Sequence, residues 1–481
     1  MDHDIDDVQE KQSEALAPEE ISQGELRRRI FNIVWPVTMD SILQMLVSFV
    51  TTGLVGRLGD LAVSAVGMSS RVTQLPWALF IGISTGTTVL VARAIGAEDK
   101  EGARRTAVQA IVISLVIILI LLAVMFVAAE PILRMLNAEG DMLTSSMSYL
   151  SIALFGLPMM ATMQIIGGVA RGMGDTRTPM LVSFAVNIIN AILGWVMIYG
   201  AFGIPEMGIN GAALAMVISQ SVGAVLAIMY IASKKLSIGL RLGDFKHLSW
   251  AESYRILRIG IPSSAESVFW QLASMFMMSL IMTFGTVPMA AHQLGLAAEG
   301  VSYMPSNGFG VAATTLIGHS LGAGNPELGR RYFREIVKWG CLLSGSTSLL
   351  LFFGGEFLLG LLTDQYEVIV LGAKYLWLMS FTQVPLLLSG IIGGTLRSAG
   401  DVRAPMYISA IGMWGIRIPL SYVFGATVTL SLPFINSVWG PFGLEMGIVG
   451  VWTAMNCDVI TRFVLSCWRY RQLRWDSVKA L

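Results

Sequence analysis

The sequence predicts an all-α polytopic membrane protein, with twelve transmembrane helices in two repeated six-helix lobes. Three observations carry this. Of 481 residues, 54% are hydrophobic and only 13% are charged, about half the charge of an ordinary soluble domain. Mean hydropathy is +0.67, and apolar runs recur from residue 30 almost to the end. Shifting the first half by 226 positions lays it on the second with many identities.

A bilayer core needs about 20 apolar residues per helix. Dividing the chain at charged and Gly/Pro-rich breaks gives spans starting near residues 30, 62, 106, 146, 178, 209, 256, 288, 336, 373, 404 and 446. Backbone groups in lipid must be satisfied within the segment, so these are helices. The alternation of a membrane β-barrel is absent. Basic residues gather at every second connection: Arg93 to Arg105, Arg171 and Arg177, Lys234 to Lys246, Arg330 to Arg334, Arg397 and Arg403. With Arg27 to Arg29 before the first span and Arg469 to Arg474 after the last, this bias places both termini in the cytoplasm of a cell (inner or plasma) membrane.

The repeat fixes the architecture. Between Ile165 and Ser183, eleven of nineteen positions match their partners 226 residues on, and I-I-G-G-V-A-R-G-M-G-D-T-R-T-P-M answers I-I-G-G-T-L-R-S-A-G-D-V-R-A-P-M. Pro36, Gly59, Gly82 and Arg104-Arg105 find Pro262, Gly285, Gly308 and Arg330-Arg331. Six spans per repeat is an even number, so the halves are parallel and related about the membrane normal, as in many secondary transporters. The expected organisation is a disordered acidic tail (1–26), a first lobe (27–233), a basic cytoplasmic connector (234–254) and a second lobe (255–481). Residues 1–25 hold nine acids and one base, a composition that cannot bury a core.

Other classes are excluded by what is missing. Cys341, Cys457 and Cys467 have no paired spacing, and the four histidines are scattered, so neither a disulfide framework nor a metal site is expected. No basic face suggests nucleic acid. No G-x-x-x-x-G-K-[ST] suggests a fused ATPase. No nucleophile cluster or cofactor motif suggests an enzyme. Energy must come from an ion gradient, H⁺ or Na⁺, with no other cofactor.

Ionisable groups inside spans cost at least about 2.5 kcal/mol each on insertion scales, and so point to function. Asp40 and Glu266 each lie four residues after a proline, Pro36 and Pro262, and are equivalent under the repeat. Glu299 lies at comparable depth in the eighth span and Arg71 in the second. An Asp40–Arg71 pair and a Glu266–Glu299 pair sharing one proton are the expected arrangements. Arg417 in W-G-I-R-I-P-L is read as facing a cavity or snorkelling, with a structural or gating role favoured. Asn187, Asn190, Gln44, Gln164, Gln271 and Gln383 are candidate cavity amides, though such amides more often join helices. The R-G-M-G-D-T-R-T-P loop reads mainly as a tight turn whose bases set topology.

The stretch A-A-H-Q-L-G-L-A-A-E-G-V-S-Y-M-P-S-N-G-F-G-V-A-A-T-T-L-I-G-H-S-L-G-A-G-N-P at 290–326 resembles the eighth-helix signature of multidrug and toxic compound extrusion transporters. L-V-G-R-L-G (54–59), V-A-R-A-I-G-A (91–97), R-G-M-G-D-T-R-T-P (171–179) and G-I-N-G-A-A-L-A (208–215) resemble that family too. The resemblance runs from about residue 27 to 470. It implies a V-shaped pair of lobes and export of organic cations or other amphiphiles in exchange for H⁺ or Na⁺. Three positions depart from the family pattern: Thr51, Gly194 and Trp270 stand where various members carry acids. Glu299 falls on the acid of the eighth-helix signature.

The expected function is therefore multidrug efflux by antiport, through rocking of two lobes around a midplane site. Asp40, Glu266 and Glu299 would bind coupling ion and cationic substrate in turn. The rival readings are a flippase of a lipid-linked precursor, an exporter of a specific endogenous metabolite, and a channel. A flippase predicts a basic cavity, whereas the midplane charges lean acidic, and two repeated lobes suit a channel less well than alternating access. The expected partners are small organic cations or amphiphiles and the lipid bilayer, with the chain acting as a monomer.

Overall fold

The structure is a computed structural model describing residues 22–135, 138–233, 239, 244, 248–425, 428–431, 438–442, 444–473 and 475. Twelve helical bodies follow one another among the described residues. The first lobe has α1 (Gln23–Gly56), α2 (Asp60–Gly96), α3 (Lys100–Met135), α4 (Gly140–Gly172), α5 (Arg177–Tyr199) and α6 (Gly208–Ile231). In the second, α7 (Trp250–Met282) is followed by α8, which runs from Thr286–Ala312 through a π-helical turn at Ala313–Ile317 into Gly318–Gly322. Then come α9 (Pro326–Gly360) and α10, formed by Tyr366–Ser380 and Gln383–Ser398 at a 50° bend. In α11, Arg403–Ala410 passes through a π-helical turn at Ile411–Arg417 into Ile418–Gly425, and α12 spans Gly447–Arg471. A two-stranded antiparallel hairpin, β1 (Val428–Ser431) with β2 (Val438–Phe442), lies between the last two.

Nine of these helices are long and apolar enough to cross a membrane, ten if the bent pair of α10 is one span. The other two, α8 and α11, are those carrying π turns, which locally break the regular hydrogen-bond ladder. Large apolar side chains such as Val127, Phe353 and Ile120 are exposed on the outer faces, as expected where lipid is the solvent. The first helix begins earlier than the sequence suggested. Ser22 accepts from the Glu25 amide and so caps it, and Leu26 is buried, so residues 23–26 belong to α1 rather than to the tail. Residues 1–21 and most of the expected connector lie outside the described residues.

The repeat shows in the turns. Gly59 and Gly285, equivalent in sequence, take φ of 102° and 106° just before α2 and α8, a region where a side chain is strained. At one end of the molecule the lobes interlock. A Cβ on Gly96 would overlap the His319 carbonyl, and one on Gly322 the Arg93 carbonyl. Beside this crossing, Arg93 Nε donates to Ser398 O at 2.8 Å and His319 Nε2 lies 2.8 Å from Gly172 O. The two contacts are repeat equivalents, since Arg93 and His319, and likewise Gly172 and Ser398, lie 226 residues apart. The starts of α1 and α7 are exchanged between lobes: Leu26, Ile30 and Val34 pack with Phe309 and Tyr332, while Ile256 and Ile259 join the first lobe's core. The inter-lobe hydrogen bonds of the described residues run from Gln74–Gln271 to this end, and none joins the opposite ends.

Candidate functional site

Within the first lobe, α1, α2, α4, α5 and α6 enclose a cavity of about 230 Å³. Asp40 enters it from α1. Its Oδ2 accepts from Gln44 Nε2 at 3.0 Å, one helical turn on, while Oδ1 is buried without a hydrogen-bond partner. Among the described residues, Asp40 and Arg171 are the only charged ones lining the cavity. Arg171, in the last turn of α4, does not form an ion pair with Asp40. Its Nη2 donates to Ser84 Oγ at 2.9 Å, and Ser84 Oγ donates to Gln164 O at 2.7 Å. Ser183, Asn187, Met160 and Trp77 complete a wall that is part polar and part apolar.

The repeat-equivalent place in the second lobe is closed. Glu266 Oε2 accepts from Arg397 Nη1 at 3.0 Å, and Oε1 accepts from Ser409 Oγ at 3.0 Å. Arg397 and Ser409 are the counterparts of Arg171 and Ser183. Glu299 belongs to a separate cluster, accepting from the Tyr375 hydroxyl and from Gln383 Nε2, the latter at 2.8 Å.

Two expected pairs are therefore corrected. Asp40 faces Arg171, not Arg71, for which no ion pair is found among the described residues. Glu266 is paired with Arg397 and does not face Glu299, because its own lobe supplies a guanidinium from the end of α10. Arg417 does not line the first-lobe cavity but sits in a buried ion pair, in keeping with a structural role. Its Nη2 lies 2.7 Å from Asp458 Oδ2, and Arg462 also donates to this fully buried acid, at 2.8 Å. Gln271 bonds Gln74 across the lobes. Gln44 lines the cavity, as does Asn187 rather than Asn190.

Arg171 and Arg397 do not stand out in the sequence because bases near span ends read as topology markers. A guanidinium on a long stem reaches well back into the lobe from there. The signal was present: the acid, the serine and the arginine recur together under the repeat. Asp458 and Arg462, spaced i,i+4 in a membrane span, were equally visible.

The turn after α4 has a structural part. Asp175 accepts from the amides of Arg177 and Thr178 at 3.0 Å each, from Thr178 Oγ1 at 2.7 Å and from Tyr230 at 2.8 Å. Burial alone would raise this carboxyl, but these hydrogen bonds hold it below its ordinary value.

A MatE family profile matches residues 36–196 and 262–423, one copy on each lobe. The chain belongs to the MatE family. Thus it is a membrane transporter by family and by fold. A protein of Thermotoga maritima named probable multidrug resistance protein NorM is 29% identical over 457 residues, covering 94% of both chains. The uncharacterized transporter YisQ of Bacillus subtilis is 26% identical, over 93% of this chain and 94% of its own. Among solved structures, an outward-facing multidrug resistance MATE transporter superposes with a TM-score of 0.82 at 21% identity, over 93% of this chain and 95% of that one. A MOP superfamily transporter from Pyrococcus furiosus gives 0.83 at 21% identity, over 95% and 97%. At that identity the likeness speaks for the MatE fold alone.

Proposed function

We propose that this MatE protein is a secondary antiporter that exports organic cations or cationic amphiphiles in exchange for H⁺ or Na⁺. The observation that carries the proposal is the Asp40 carboxylate, which lines a cavity inside a membrane lobe with one oxygen unpartnered. A half-buried carboxylate inside a membrane lobe, lacking a full partner, favours a proton or cation. Coupling ion and cationic substrate would compete for it, and mutual exclusion at one charge produces exchange. The cavity is smaller than the roughly 300–1,000 Å³ of drug-sized pockets, so the apolar body of a substrate would extend into the cleft between lobes. The NorM name of the Thermotoga relative supports drugs as the substrate class.

The interlocked end carries the basic connections, which the positive-inside bias assigns to the cytoplasm. The site would then face outward here, and alternating access would require the Gly96–His319 and Gly322–Arg93 crossings to part. Glu266 and Glu299, both already partnered, would support the second lobe rather than carry the ion. The test is purified protein in liposomes with ethidium as probe, under an imposed pH or Na⁺ gradient. Ethidium movement against its own gradient, driven by one of the two ions, is the expected result. Movement that ignores both gradients, or none at all, would overturn the proposal.

A further inference from the structure

The two repeat-equivalent sites differ at several positions, Gln44 against Trp270 and Asn187 against Met413 among them, and two of the differences bear directly on the arginines. The acid is Asp40 in one lobe and Glu266 in the other, one methylene longer. Ser84, which receives Arg171 in the first lobe, has Gly310 as its counterpart in the second. Arg397 thus has a longer acid within reach and no hydroxyl to rest on, and it pairs with Glu266. Arg171 has a shorter acid and a hydroxyl seat, and it rests on Ser84.

We propose that Arg171 is a tethered counter-cation for Asp40. It sits on Ser84 when a mobile cation or proton occupies the carboxylate, and it swings to Asp40 to displace that occupant. The closed arrangement already exists in the molecule as Glu266–Arg397–Ser409, so the motion converts one lobe's geometry into the other's. The physical need is plain: an uncompensated carboxylate within a membrane lobe holds a cation too tightly to release it, and a competing guanidinium in the same cavity weakens that hold. Arginine suits the task because it stays charged at any physiological pH. The inference rests on Asp40 being the exchange site.

No other charged group takes this part. Arg171 and Asp40 are the charged lining residues. From α6, Tyr230 donates to Asp175. From α5, Ser183 and Asn187 are neutral. The acids of α8 and α9, also packed on α1, turn elsewhere: Glu299 to Tyr375 and Gln383, and Glu335 to Arg27.

The experiment is an infrared titration of the wild-type protein in lipid without substrate, following the protonated-carboxyl band that Asp40→Asn removes. Arg171→Gln should raise its midpoint by about one pH unit or more, a tenfold change in proton affinity. Ser84→Ala should lower it, because the guanidinium loses its resting place and spends longer on Asp40. Shifts of opposite sign are something a purely structural Arg171–Ser84 contact would not give. Ser84→Ala alone keeps the test decisive should Arg171→Gln not fold. An unmoved midpoint in the variants, or a rise in Ser84→Ala, would overturn the proposal and leave Asp40 as the exchange site. Absence of any titrating band that depends on Asp40 would overturn both.

Discussion

The first lobe holds its acid open and the second holds its acid shut. Asp40 has one oxygen on Gln44 and the other beside Ser183 with no well-formed hydrogen bond. In its cavity Arg171, the one cation among the described lining residues, rests on Ser84. Glu266 has both oxygens taken by Arg397 and Ser409, and in the same lobe Asp458 sits between Arg417 and Arg462. One duplicated plan has thus yielded a lobe whose charges are satisfied and a lobe whose charge is available. The difference teaches that an intramembrane acid marks function only when its partners leave it something to bind; a fully paired one is part of the scaffold.

The comparison can be broken by stability measurements in detergent. The largest effect is expected at Asp458. It is fully buried, and Asp458→Ala would leave two guanidinium groups without their counter-charge, costing about 3–5 kcal/mol. Loss of folded protein or a steep fall in Tm is the readout. Glu266→Gln comes next. Its side chain is 29% exposed and that of Arg397 17%, so solvent screening reduces the expected loss to about 1–3 kcal/mol. Asp40→Asn should cost about 0.5 kcal/mol or less, since it breaks no ion pair and leaves Gln44 a carbonyl to bond. If Asp40→Asn destabilised the protein as much as Glu266→Gln, the contrast between lobes would be false.

Asp175 sharpens the same comparison at a smaller scale. In the first lobe this turn residue is held by Thr178, Tyr230 and two backbone amides. In the second, Asp401 keeps one such amide, that of Ala404, and takes Arg469 in place of the side-chain hydroxyls. Because its folded-state pKa lies below the ordinary value of 3.8, Asp175 contributes stability above that pH. The contribution is lost as the pH falls through the lowered value. Asp175→Asn should therefore lower Tm slightly at pH 7, by the equivalent of about 1 kcal/mol. Its deficit should shrink below pH 3.8, and a deficit independent of pH would show that packing rather than charge is at work.

Much of this was legible in the sequence. Span number and duplication follow from apolar run length and a single fixed shift, because lipid leaves the backbone no choice but helix. Asp40 and Glu266 stood out for the same reason: charge in an apolar run, four residues after a proline. Partners were harder to find. Glu266 and Arg397 are 131 residues apart, and Arg417 and Asp458 are 41 apart. Which helices meet is a tertiary fact that span periodicity does not carry. Even so, two of the positions that separate the open site from the shut one, Asp40 against Glu266 and Ser84 against Gly310, are legible in the sequence once Arg171 and Arg397 are admitted as partners. The π turns of α8 and α11 left no trace in composition.

The most direct test of the central claim is gradient-driven ethidium exchange by Asp40→Asn and Glu266→Gln side by side in liposomes, normalised to folded protein. The open-site account predicts that Asp40→Asn loses coupled exchange while Glu266→Gln keeps most of it. Coupling that survives in Asp40→Asn and disappears in Glu266→Gln would place the exchange site in the second lobe and contradict the account.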